Sequence, residues 1–317
     1  MTAPDTGPAP DAGTAPDTGP APARLTRLGQ NQYGKAEVRV VRVVRDGATH
    51  HLKDLNVSIA LSGAMDDVHL SGSNANVLTT DATKNTVYAF AQKYGVASAE
   101  AFAIRLARHF VSSQDAVHRA RVRVEEYAWD RIGPQDSGHS FVRDARETRT
   151  AEAAYDGERW QVVSGLKDLV VLNTTDSEFH GFVRDEFTTL AETRDRILAT
   201  EVHARWRHAW SSDDQPVPAW EEQYPRVRGH LLAAFARTYS FSLQQTLYAM
   251  GARVIEQTPG VDEIRLSLPN KHHFLVDLAP FGLPNDNEVY YAADRPYGLI
   301  EGTVLREGAQ AAIPVTD

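Results

Sequence analysis

The hydrophobic period of this chain switches from two to about four and back again, and it does so twice in the same order. In the first pass, 37–44 is rich in valine, and Leu55, Val57, Ile59 and Leu61 alternate with Asn56, Ser58 and Ala60, the period of a half-buried strand. The polar stretch 45–51 suits a hairpin loop between the two. Helical spacing follows over 83–94 and 98–112, and in the second of these Phe102, Leu106 and Phe110 form one stripe while Arg105 and Arg108 face away. Val122 and Val124 then alternate with Arg121, Arg123 and Glu125, and 140–150, after a Gly-Pro turn, reads as the hairpin partner.

The second pass repeats that order. A strand region covers 160–173, 185–206 reads as helical, and 226–255 reads as one long helical segment with Leu231, Phe235, Tyr239, Leu243 and Leu247 at four-residue steps. Ile264, Leu266 and Leu268 alternate with Arg265 and Ser267, and 274–278 and 288–292 supply the last strands. Strands, two helices and strands, twice over, imply a duplicated unit, although the halves share no visible identity. The fold class expected is α+β, antiparallel sheet with helices on one face, divided into domains 24–152 and 153–317. Ahead of them, Thr-Ala-Pro-Asp-Thr-Gly-Pro-Ala-Pro at 2–10 recurs at 14–22. A stretch of that composition cannot repay its ordering entropy, so 1–23 is expected to be a disordered tail.

Composition narrows the function. A net charge of -9 with no Lys/Arg block argues against a nucleic-acid partner. The absence of cysteine excludes disulfides, thiolate nucleophiles, Cys-ligated zinc and iron-sulfur clusters. No run of eighteen apolar residues and no signal peptide occurs, so neither membrane insertion nor secretion is expected. Nor does the chain carry a dinucleotide fingerprint, a phosphate loop, a His-Glu-x-x-His motif or a Gly-x-Ser-x-Gly elbow.

One junction stands out. At 77–86, Val-Leu-Thr-Thr-Asp-Ala-Thr-Lys-Asn-Thr, an apolar run ends in a polar cluster that opens a helix, with Thr80 and Asp81 as N-cap types. Unpaired backbone N–H groups there suit an anion; taken alone, the stretch reads as a capped helix and no more. Two further stretches join it: Asn31-Gln-Tyr-Gly-Lys35 and Leu268-Pro-Asn-Lys-His-His-Phe274. With Ser140-Phe-Val-Arg-Asp144, the run from Ser177 to Leu190, Asp195-Arg-Ile-Leu198 and Gly298-Leu-Ile-Glu-Gly302, they make the chain resemble the urate oxidase (uricase) family from about Tyr33 to about Val304.

That resemblance implies tandem tunnelling-fold domains whose sheets pair into a barrel-like tunnel in a homotetramer, with active sites at subunit interfaces. It implies oxidation of urate by O2 and water to 5-hydroxyisourate and hydrogen peroxide, with no metal or organic cofactor. Lys35, Thr80 and His272 correspond to the family's proton-relay triad. Phe179 matches the aromatic that stacks on the purine, Arg196 the guanidinium on one edge, and Gln244 the amide on the other. Leu243 stands beside it where many relatives have valine. Thr80 and Asp81 face the five-membered ring, and Asn270 with Thr80 holds oxygen or water above it. Lys35, Thr80 and Asp81 would come from one subunit and the remaining set from its neighbour.

Each residue also has an ordinary reading: Lys35 a solvated strand-end charge, His272 a structural histidine, Phe179 core packing, Arg196 a surface helical arginine, Gln244 a polar position on a long helix. His273, adjacent to His272 on a strand, should point to the opposite face, so the pair is a poor metal chelate. Two other functions remain open, a purine- or pterin-binding tunnelling-fold protein without oxidase activity and a purely structural assembly protein. The chain ends Pro-Val-Thr-Asp rather than in a peroxisomal Ser-Lys-Leu, so a bacterial cytoplasmic location is expected.

Overall fold

In the computed structural model, which describes residues 25–133 and 138–315, the first alternating run folds as an antiparallel hairpin of β1 (Tyr33–Asp46) and β2 (Thr49–Gly63). The strands continue to a two-residue turn, so the loop expected over 45–51 is shorter than its polar composition suggested. Among the described residues, all the regular structure belongs to the unit that begins at Gln32. The expected tail and Pro134 of the expected turn lie outside the described residues.

A short helix, α1 (Asp66–Leu70), precedes α2 (Thr80–Tyr94) and α3 (Ala99–Ser113). Ser98 caps α3 by accepting the Ala101 N–H, and the predicted stripe of Phe102, Leu106 and Phe110 is buried against the sheet. Each such side chain contributes roughly 1.5–3 kcal/mol through burial. Then come β3 (Val117–Tyr127), β4 (Trp129–Arg131), β5 (Phe141–Arg143) and β6 (Thr148–Tyr155). The partner of β3 is β6, which includes only the last residues of the segment expected for that role; β5 pairs instead with β4 in a small separate hairpin.

The second half opens with β7 (Trp160–Asn173) and β8 (Leu198–His208). The helix expected over 185–206 does not form. Val202, Ala204 and Trp206 are fully buried while Glu201, His203, Arg205 and Arg207 between them are half-buried, so the period of two wins over the helix-forming Glu, Ala and Arg content. Next, α4 (Trp220–Arg237) and α5 (Leu243–Gln257) replace the single expected helix. The four-residue apolar step runs through the break, which is why periodicity alone missed it. What interrupts the helix is a tertiary pairing: the Ser240 N–H donates to Asp176 O at 2.9 Å and the Glu178 N–H to Ser240 O at 2.8 Å. Ser242 then caps α5 through the Gln245 N–H. The chain closes with β9 (Val261–Pro269), the β10 (His272–Leu275) and β11 (Tyr290–Ala293) hairpin, and β12 (Leu299–Leu305), a strand not expected from the alternation.

Eight strands form one sheet in the order β1-β2-β3-β6-β7-β8-β9-β12, every neighbouring pair antiparallel. The first four with α2 and α3, and the last four with α4 and α5, have the same order of elements, so the expected doubling holds although the two helices of the second half are not the segments expected. Two apolar cores result, and Val162 belongs to the first while Leu166 belongs to the second. Those residues lie on the same face of β7, so both helix pairs cover one face of the sheet.

A polar seam separates the two cores. Ser164 on β7 hydrogen-bonds Glu100 Oε1 of α3 at 2.6 Å and His208 Nε2 of β8 at 2.8 Å. Arg149 on β6 reaches Glu100 and Glu221, the latter on α4, each at 2.7 Å. One guanidinium thus holds a helix from each half.

Candidate active site

Two groups of side chains emerge from this scaffold. The first gathers at the start of β1 and of α2. Gly34 lies so close to β2 that a Cβ there would fall 1.9 Å from Ile59 O. Immediately after it Lys35 pairs with Ile59, and the register then shifts through a bulge at which Glu37 adopts φ 58° and donates its N–H to Ser58 Oγ. The N-cap of α2 is Thr79, one residue earlier than expected: its hydroxyl accepts the Ala82 N–H at 3.1 Å. Thr80 and Asp81 therefore occupy the first turn, where backbone N–H groups have no intrahelical acceptor. The Thr80 hydroxyl has no hydrogen-bond partner among the described residues. Asp81 takes Lys84 Nζ at 2.6 Å and Asn85 Nδ2 at 2.9 Å. The Lys84 bond above all keeps its carboxyl below the usual range, and Lys35 adds a smaller pull through space.

The second group lines a cavity of about 690 Å³ in the other half of the sheet. It contains Phe179, Arg196, Leu243, Gln244, Asn270 and His272, six of the nine residues singled out in the sequence. Their positions come from chain breaks and loop pairings. Phe179 and Thr193 exchange backbone hydrogen bonds at 2.9 and 3.0 Å, and the Arg196 N–H donates to Ser177 O at 3.0 Å, which folds the long β7–β8 loop back on itself. Arg196 accordingly sits on a loop just before β8 and not on a helix. Gln244 stands exposed in the first turn of α5 because the Ser240 pairing ended α4, whereas Leu243 is buried and forms cavity wall and core at once. The Asn270 N–H donates to Gly298 O at 2.9 Å, and the His272 ring stacks on Phe274 at 5.7 Å. His273, next along the strand, has its Nδ1 2.9 Å from Lys271 O.

Electrostatically the cavity is unusual at one point. Arg196 lies 5.1 Å from the Phe179 ring centroid, its Nε is buried, and it meets neither a hydrogen-bond acceptor nor a carboxylate among the described residues. Burial pushes its pKa down. Burial also lowers the His272 pKa, with the Arg196 and His273 charges contributing. A partly desolvated guanidinium beside an aromatic ring, with an amide lining the same cavity, is equipped to grip a flat anion by stacking and a two-pronged hydrogen bond. The sequence reading did not pick out Leu190, Phe274, Tyr290 and Ile300 of the wall. Three of them lie in or beside the late strands, where alternation was weak.

The chain does not bring the two groups together. β1 and β8 stand five places apart in the sheet, on the order of 24 Å at about 4.8 Å per strand. Among the described residues one group contains metal-ligand types, Asp168, Glu201 and His203, but Glu201 already receives Lys271 Nζ at 2.9 Å.

A duplicated ββααββ unit in a single antiparallel sheet, with both helix pairs on one face and a cavity beside the second pair, defines a tandem tunnelling-fold protein. Comparison with known proteins is specific. A family model described as Uricase matches residues 31–154 and 162–301. The chain is 54% identical over 288 residues to the uricase of Arthrobacter globiformis, covering 91% of this chain and 93% of that one. To the uricase of Oryctolagus cuniculus it is 38% identical over 284 residues, 87% and 93% of the two chains. The crystal structure of the Arthrobacter globiformis uricase superposes with a TM-score of 0.87 at 52% identity, over 92% of this chain and 99% of that one. A uricase from Bacillus fastidious gives 0.73 at 22% identity over 92% and 100%, a likeness of fold. The chain belongs to the uricase family.

Proposed function

We propose that the complete active site forms between two copies of the chain, Lys35, Thr80 and Asp81 from one meeting Phe179, Arg196, Leu243, Gln244, Asn270 and His272 from its neighbour. The reaction follows from family membership: urate, O2 and water give 5-hydroxyisourate and hydrogen peroxide. An electron-rich purine anion can itself pass electrons to oxygen, so the protein's task is to orient the ring and move protons.

In this reading Phe179 stacks on the ring, the Arg196 fork donates to a carbonyl and a deprotonated nitrogen on one edge, and the Gln244 amide reads the opposite edge. Leu243 sets the width of the pocket. The Thr80 and Asp81 N–H groups and the Thr80 hydroxyl meet the five-membered ring. Asn270 and Thr80 hold oxygen or water above it, and Lys35, Thr80 and His272 hand on the protons. An imidazole suits that last role because it changes charge near neutrality.

The observation that carries the proposal is Arg196, a half-buried cation with an unpaired Nε and no counter-ion among the described residues, lying against an aromatic ring in a cavity. The sheet's two outer strands supply a reason for assembly. No partner covers the outer edge of β1 or β12 among the described residues, and β1 exposes Val41, Val43 and Val44. Such edges pair with another chain unless blocked. A homotetramer whose sheets close into a tunnel, working in a bacterial cytoplasm, is part of the same proposal, as is the division into domains 24–152 and 153–317. No helix among the described residues is long and apolar enough to cross a membrane. The test is direct: purified protein in air-saturated buffer should remove the urate absorbance band and release peroxide, and an unchanged band refutes the reading.

A further inference from the structure

The face of the sheet turned away from the helices carries charges where the other carries apolar side chains. Arg205 on β8 and Arg265 on β9 stand directly opposite one another in the ladder. Like charges at directly opposed positions are destabilising unless something neutralises them. Arg265 has partners of its own, Glu301 Oε2 at 3.3 Å and Thr303 Oγ1 at 3.4 Å. Arg205 is poorly provided for. Its ion pair among the described residues is with Glu152 Oε2 at 3.9 Å, and that oxygen is already held by Arg123 Nε at 2.6 Å.

The Arg205 side chain is only 27% exposed, so water solvates it in part. Burial foremost, and the Arg123 and Arg265 charges after it, lower its pKa, against an opposing pull from Glu152 and Glu263. On the neighbouring strand Gly165 lets Thr150 pack closely: a Cβ there would lie 2.6 Å from both Ala204 O and Thr150 Oγ1. The result is a groove of about 520 Å³ that shares no residue with the cavity around Arg196. Thr150 and Ser267 border it with these arginines, and so do three carboxylates that each already hold a cation, Glu125 with Lys167, Glu152 with Arg123 and Glu301 with Arg265.

We infer that this groove is a second anion site, which takes a small tetrahedral oxyanion, inorganic phosphate or sulfate, between Arg205 and Arg265. A planar guanidinium presents two parallel N–H donors to one edge of such an anion. The Thr150 and Ser267 hydroxyls can donate to its remaining oxygens. An anion seated there turns the repulsion across β8 and β9 into attraction on both sides. Arg123 adds charge at the rim while keeping its bond to Glu152.

The experiment is calorimetric titration of the full-length protein with inorganic phosphate, at ionic strength held constant with chloride, for the unmodified protein, Arg205→Gln and Arg265→Gln. Saturable binding is expected in the unmodified protein, weakened at least about tenfold in each variant through loss of a charged, two-pronged contact. In phosphate-free buffer Arg205→Gln should melt no lower than the unmodified protein, because a like-charge pair has been removed. Its melting temperature should also respond less to phosphate. Absence of saturable binding, or binding equal in all three proteins, overturns the inference. So does an Arg205→Gln protein that melts lower without phosphate, which would make Arg205 a structural partner of Glu152. A thermal rise in phosphate that is equal in all three is the general effect of an excluded salt and counts against the site as well.

Discussion

The two halves of the sheet share an order of elements and differ in what joins them. Between β1 and β2 the chain turns in two residues, whereas between β7 and β8, at the matching place in the second half, it runs through 174–197 before re-entering the sheet. That long connection carries Phe179 and Arg196, and the 270–298 excursion after β9 carries Asn270 and His272. The first half keeps its short turn and offers instead a bulged strand end and an open helix start. The two copies of one framework thus differ in their connections, and under the proposed function each half supplies one side of the site.

The sharpest way to break that division is to disable one side at a time. Lys35→Met or Thr80→Ala is expected to lower turnover about 100-fold or more, the scale of a lost proton-transfer group, with the melting temperature nearly unchanged. Arg196→Ala should be comparably inactive at ordinary urate concentrations. Co-expression of the Lys35→Met chain with the Arg196→Ala chain should then restore activity, since random assembly leaves both sides intact at about one interface in four. Steady-state urate consumption by the mixed protein decides this; if it stays at the level of the single variants, the two sides do not come from different chains.

A second comparison concerns the seam. Glu100 and Glu221 belong to different halves and share Arg149. Arg149→Met leaves the Glu100 carboxylate, 1% exposed, without its cation, and is expected to cost about 3–5 kcal/mol in denaturant unfolding. A loss below about 1 kcal/mol would mean that the halves hold together without this contact.

His208 in the same seam adds a pH dependence. Burial pushes its pKa down to about 3 in the folded protein, against 6.5 without that burial. Above pH 6.5 neither state is protonated there and nothing is lost. Below it the unfolded chain takes up a proton that the folded one refuses, so stability falls by up to about 1.4 kcal/mol per pH unit as acidity increases toward pH 3. Melting curves between pH 6.5 and 4.5 should show a shallower slope for His208→Gln than for the unmodified protein. Equal slopes would remove His208 as the cause.

The smallest effect is expected at Leu243, which is wall and core together. Leu243→Val should cost about 1 kcal/mol of stability and shift the KM for urate by less than about tenfold. A larger shift would show that pocket width, more than the polar grips, sets substrate affinity.

Period carried the fold a long way. The alternation at Leu55–Leu61 and the stripe at Phe102, Leu106 and Phe110 correspond to β2 and α3 because one buried face is a local property of a strand or helix. It failed where distant backbone decided the outcome. Ser240 bonds to Asp176 and so splits α4 from α5 inside an unbroken four-residue pattern, and β8 draws its extended form from β7 and β9 on either side. The cavity residues were legible through motifs rather than periodicity, since Arg196, Asn270 and His272 come from loops and strand ends that carry no helical or strand period.

By itself the sequence settled the kind of most elements of the first half, the doubling of the unit, many of the faces that are buried and the family, because each of these depends on residue type at short range. Only the tertiary structure decided that six distant residues surround one cavity, that Arg196 is left there without a counter-ion, and that Lys35 and Thr80 end up far along the same sheet. Those outcomes depend on which strands pair and where loops fold back. Such choices are made by hydrogen bonds and packing between segments far apart in the chain, and no local pattern records them.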